Sequence, residues 1–139
     1  MTKWAASLIR ISTHEVETLQ KRLADIVERR MAAELRVAML DAEGEAEAKQ
    51  AEGSAEAGWY MIGYREGAKR RRAEMMLQIE QSQIEEQGAR DALSVAFEAL
   101  KKYEHVAEAA KVAQTKKMGK FEAAQLDELG LRRMAVGQR

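Results

Sequence analysis

Apolar side chains in the first half of the chain return at alternating steps of three and four residues. Ile9, then Val16, Leu19, Leu23, Ile26, Ala33, Val37 and Leu40 make up the series, with Arg30 standing where an apolar residue is due. Such steps average 3.5 residues and keep one stripe of a helix turned toward a partner helix. The pattern predicts a long helix with a single buried seam. Trp4, Leu8 and Ile11 extend it upstream, so the helix is expected to start near residue 3. Ser12 and Glu15 have the spacing of a capping box, which offers a start at Ser12 instead. Arg30 is expected to lay its aliphatic stem along the stripe and send its guanidinium outward.

The seam fades over residues 41–50 into an acidic, alanine-rich stretch with Asp41, Glu43, Glu45 and Glu47. Glycines follow at 53, 58, 63 and 67. Each costs about 1 kcal/mol against alanine inside a helix. The chain is therefore expected to reverse direction between residues 50 and 66. A basic run, Lys69-Arg70-Arg71-Arg72, precedes a second helix expected over about residues 73–118. Its stripe reads Met75, Ile79, Ala89, Leu93, Ala96, Leu100, Tyr103, Ala107 and Ala110, broadened by Phe97. A turn centred near residue 59 sets Ile26 opposite Leu93, Leu19 opposite Lys101 and Leu100, and Val16 opposite Tyr103. Residues beyond 118 stay helix-like through Phe121, Leu126 and Leu129 and overhang a symmetric hairpin. The expected fold is all-α, two long helices in an antiparallel coiled-coil hairpin, with residues 1–139 forming one unit.

Composition sharpens this picture. Ala, Glu, Lys, Arg and Leu account for 78 of 139 residues, above the roughly 50% share typical of coiled coils and long helices. There is no proline, the residue that breaks helices, and no cysteine. Aromatic residues are only 5% of the chain. A β-rich fold, a disulfide scaffold and a zinc–cysteine module are excluded. Twenty-three basic side chains balance 23 acidic ones, so no global field draws the chain to nucleic acid. No apolar run approaches the roughly 18 residues of a membrane span, and no signal-peptide core is present. A cytoplasmic protein with no direct membrane insertion is expected.

Little catalytic chemistry is in sight. His14-Glu15 opens a zinc-binding pattern, but Thr18 occupies the place of its second histidine. His105 lies between Glu104 and Glu108, a spacing more typical of a solvated helix face than of a metal site. No phosphate-cradling glycine loop occurs. A two-helix hairpin also lacks the water-excluding pocket on which electrostatic catalysis depends. No catalytic residue, metal or cofactor is expected. The basic run at residues 69–72 reads as a solvated block facing the acidic residues 41–56. The cluster of Trp59, Tyr60, Met61, Ile62 and Tyr64 leaves two readings open, a partner surface or a plug of the hairpin end.

The chain resembles the FliJ family, the small soluble component of the flagellar type III export apparatus. The likeness is carried by Ser7-Leu8-Ile9-Arg10-Ile11 followed by Glu15-Val16-Glu17-Thr18-Leu19-Gln20. Downstream it is carried by Ala89-Arg90-Asp91-Ala92-Leu93, Ala96-Phe97-Glu98 and Lys101-Lys102-Tyr103-Glu104. The resemblance implies a hairpin shaped like the central stalk of rotary ATPases. It implies as partners a hexameric export ATPase, an export-gate membrane protein and export chaperones. It places the chain peripherally at the cytoplasmic face of the inner membrane. No nucleic acid is among these partners.

Two groups of residues are nominated on that basis. Arg10, Lys111, Lys116, Lys117 and Lys120 are expected to gather where the chain ends meet and to steer docking onto the ATPase ring; solubility is the plainer role. Trp59, Tyr60 and Tyr64, displayed on a non-helical turn, are expected to meet the export gate. The alternative function is a structural coiled coil that dimerises through its seam and has no part in secretion.

Overall fold

The computed structural model describes residues 3–137. Helix α1 runs over Lys3–Gln50, 48 residues, and helix α2 over Ala55–Gly137, 83 residues. Together they form the antiparallel coiled-coil hairpin, and only residues 51–54 among those described are not helical. The start of α1 at Lys3 follows from the upstream apolar pattern. Ser12, the competing start, is buried inside the helix.

The reversal is short because its local chemistry is complete. Gly53 takes a positive φ of 85°, a left-handed conformation that suits glycine after a helix end. The Ala51 N–H still donates to the Glu47 carbonyl at 3.0 Å, which prolongs the last turn of α1. Ser54 then caps α2: its hydroxyl oxygen accepts from the Ala57 N–H at 3.3 Å. Lys49 in the last turn of α1 and Glu56 in the first turn of α2 both complement the helix dipoles.

This arrangement corrects the expected second helix, which begins at Ala55 rather than near residue 73. Gly58, Gly63 and Gly67 lie inside it. Their propensity cost is outweighed because Met61, Tyr64 and Ala68, interleaved with them, supply buried or half-buried seam positions. Tertiary burial overrides local preference here.

Two compact units are present, and each has its own core. In the unit Val16–Val95, α1 contributes buried Val16, Ile26 and Ala33, with Leu19, Leu23, Val37 and Leu40 half-buried between them. From α2 come buried Met61, Ile79 and Ala89, with Met75 and Leu93 half-buried. Ile26 is the most enclosed large side chain, 2% exposed. Three ion pairs join the helices: Arg29 with Glu85 at 3.1 Å, Arg30 with Glu86 at 2.7 Å, and Arg72 with Asp41 at 3.1 Å. They fix the register. Stepping four residues along each helix from Arg30 and Glu86 brings Ile26 level with Arg90 and the buried Ala89. The expected partner was Leu93, about one helical turn further on.

The other unit comprises residues 3–15 and 96–137. Its buried positions are Ala5 and Ser12 on α1 and Ala96, Leu100 and Ala107 on α2. Burial then stops. From Glu108 onward every described residue is exposed, including Ala110, which was expected on the seam. Phe97 is only partly covered, at 39% exposure.

Candidate functional site

Three regions carry side chains whose placement exceeds what the hairpin needs for its own packing. The first is a polar layer within the unit Val16–Val95. Glu86 occupies a seam position of α2, and its carboxylate accepts from Arg30 Nε at 2.7 Å and from Arg90 at 2.8 Å. Arg30 also donates to Glu34 at 3.0 Å. The expectation that the Arg30 guanidinium turns outward is corrected: it is drawn across the seam by a carboxylate that is only 11% exposed. Hydrogen bonds from Arg90 and Arg30 hold the Glu86 carboxyl below the usual glutamate range. Hydrogen bonds to Glu86 and Glu34 raise the Arg30 guanidinium above its ordinary value. The pairing was legible as heptad spacing between Ile79 and Ala89, where Ser82 and Glu86 hold the intervening seam positions.

The second region is the aromatic cluster. Trp59, Tyr60 and Tyr64 sit on the first turns of α2, not on a non-helical turn, which corrects that expectation. Trp59 is 79% exposed and Tyr60 62%. Tyr64, one helical turn on, is half-buried, and its ring stacks on Tyr60 with centroids 6.1 Å apart. Met61, not Trp59 or Tyr60, is the buried side chain of this group. Ile62 is also exposed, so the outward face combines three large apolar side chains. Of the basic run that follows, Arg72 is held by Asp41, and Arg71 donates to the Gly67 carbonyl at 3.4 Å.

The third region is the segment of α2 beyond Ala107. Lys111, Lys116, Lys117 and Lys120 stand here, all exposed and in none of the ion pairs seen among the described residues. The same segment exposes Val112, Met118, Phe121, Leu126 and Leu129. Arg10, on α1, is exposed and within 3.4 Å of the Ser7 hydroxyl. These five basic residues do belong to one unit. Three of the lysines, at 116, 117 and 120, lie well past the last buried position of α2.

Among the described residues no group of three histidine, aspartate or glutamate side chains is arranged to hold a metal ion. None of the described helices is long and apolar enough to cross a membrane.

The chain is 77% identical over all 139 residues to the Flagellar FliJ protein of Caulobacter vibrioides strain NA1000 / CB15N. It matches the protein of the same name from Caulobacter vibrioides strain ATCC 19089 / CIP 103742 / CB 15 equally well. In both cases the match covers the whole of each chain. No protein-family model matches the chain, and no solved structure does.

Proposed function

The chain belongs to the FliJ family of flagellar proteins, and from that premise we propose that it is a non-enzymatic, stalk-like adaptor of the flagellar type III export apparatus. In this reading it binds the hexameric export ATPase, couples it to the export-gate membrane protein and escorts export chaperones. It works in the cytoplasm, peripherally at the inner-membrane face of the apparatus. No catalytic residue and no cofactor belong to this reading.

The observation that carries it is the stretch of α2 beyond Ala107, in which every described residue, the lysines included, is exposed. A helix that projects past its own core supplies a long, adaptable contact for a ring. Basic side chains on it steer encounter with an acidic surface. Arg10 and Lys111 extend the same charge. Trp59 and Tyr60, with Tyr64 supporting the Tyr60 ring, supply the aromatic anchors of the gate contact.

Binding to the purified export ATPase and to the soluble part of the gate protein tests both contacts. Reversal of Lys116 and Lys117 to Glu is expected to weaken ATPase binding, most strongly at low salt, and to spare gate binding. The Trp59→Ala, Tyr60→Ala variant is expected to do the converse. Unchanged ATPase binding by the first variant removes these lysines from the contact. Failure of the unaltered chain to bind either partner overturns the reading.

A further inference from the structure

The unit Val16–Val95 is held by two kinds of contact that respond differently to sliding. Its apolar seam steps by three and four residues on both helices. Moving α2 by one helical turn, about 5 Å, therefore brings apolar rows back into mesh. The contact of Arg30 with Glu86 occurs at one point of the seam and has no such repeat.

One direction of slide fills the seam better than the other. Counted from the Arg30–Glu86 pair, moving α2 one turn toward the reversal sets Ile26 level with Leu93, Val37 with Ser82 and Leu40 with Ile79. This is the register expected from apolar spacing alone. The opposite slide sets Ile26 against Glu86. In the observed register small residues come together at Ala33 and Ser82, and the helices leave a cleft of about 310 Å³ there. The reversal is able to follow the slide. In the first turn of α2, residues 55–58, only Ala57 is half-buried and the others are exposed. Gly58 ends that turn, and glycine gives it little helix propensity. Unwinding it lengthens the connection and lets α2 start at Trp59.

The polar layer opposes the slide. In the second register Arg30 is level with Ala89 and Glu86 with Ala33. A carboxylate only 11% exposed then keeps Arg90 and loses Arg30. The pairs of Arg29 with Glu85 and Arg72 with Asp41 are more than half exposed, so their loss weighs little. We propose that the hairpin has two registers one helical turn apart, and that the Arg30–Glu86 pair is the latch that selects the observed one. A partner that grips both helices and binds the second register more tightly releases the latch. The outward side chains of α2 then move about 5 Å along α1. The proposal does not rest on the export reading.

The chain has no cysteine, so a pair of spin labels on the full-length chain tests this directly. Met39→Cys on α1 and Ser94→Cys on α2 lie at exposed positions far apart along the helices. The slide brings them about 4–5 Å closer. Pulsed electron paramagnetic resonance is expected to give a single distance while the latch is intact. Adding Arg30→Met and Glu86→Leu is expected to produce a second distance, shorter by about 4–5 Å. Adding Glu86→Ala and Ala89→Glu instead moves the carboxylate to the place level with Arg30 in the second register. That variant is expected to show mainly the shorter distance. Both are expected to keep their helix content by circular dichroism, because one register or the other fills the seam. The original distance alone in either folded variant, or loss of helix in both, overturns the proposal.

Discussion

Arg30 Nε donates to the Glu86 carboxylate at 2.7 Å across the two helices, in the middle of an otherwise apolar seam. A slide of one helix past the other would take Arg30 away and leave Glu86 only Arg90 of its own helix, so a largely buried carboxylate would lose one of its two charged donors. The pair thus acts on register as a buried polar residue does in other coiled coils.

Glu86→Gln is expected to lower the melting temperature by several degrees at pH 7, because two arginines lose their charged acceptor. The sign with pH follows from the depressed Glu86 pKa. A carboxyl held lower in the folded chain stabilises it fully above the unfolded value of about 4.3, and the benefit fades as pH falls through the folded value. The difference between the unaltered chain and Glu86→Gln should therefore stay constant from pH 7 to about 5. It should narrow below about pH 4. Thermal melts followed by circular dichroism across that range check it.

Replacing both partners differs from removing one. Arg30→Met with Glu86→Leu keeps the seam filled and removes the desolvation cost of two charges, so stability is expected to hold or rise. A melting temperature below that of the unaltered chain would show that the pair contributes net stability.

Ile26→Ala should cost about 2–4 kcal/mol, as for an enclosed isoleucine in a small core. Leu19 and Leu23 are only half-buried, so Leu19→Ala should cost about 1–2 kcal/mol, in proportion to the area each withdraws from water. Urea titrations of the two variants separate these ranges.

Glycines on the two sides of the helix start are expected to respond with opposite sign. A Cβ at Gly63 meets nothing within 4 Å, so Gly63→Ala should stabilise by about 0.5–1 kcal/mol through helix propensity. Gly53 has equal space but a φ of 85°, so Gly53→Ala should destabilise by about 1–2 kcal/mol. Space alone does not decide the outcome; backbone conformation does.

Trp59→Ala should leave the melting temperature within about 1 °C, since the residue is 79% exposed. Tyr64→Ala should lower it modestly, because that ring is half-buried and stacks on Tyr60. A large drop from Trp59→Ala would assign the indole a structural task.

The sequence by itself determined the helical class, the start of α1 and the α1 seam from Val16 to Leu40. The reason is that a 3.5-residue repeat and an absence of proline leave only one backbone geometry that buries the stripe. It also carried the exposed aromatics and the basic residues of α2 as candidates, since their chemistry is a property of composition. Register belonged to tertiary structure. Helical repeats are degenerate by one turn, and the ion pair of Arg30 with Glu86 removes that degeneracy only when both helices are present. The place of the turn was decided there too, because burial of Met61 and half-burial of Tyr64 and Ala68 carried helix through three glycines that local propensity counts against. So was the point where burial ends, Ala107, which depends on how far the partner helix reaches and leaves no mark in the residues that lie beyond it.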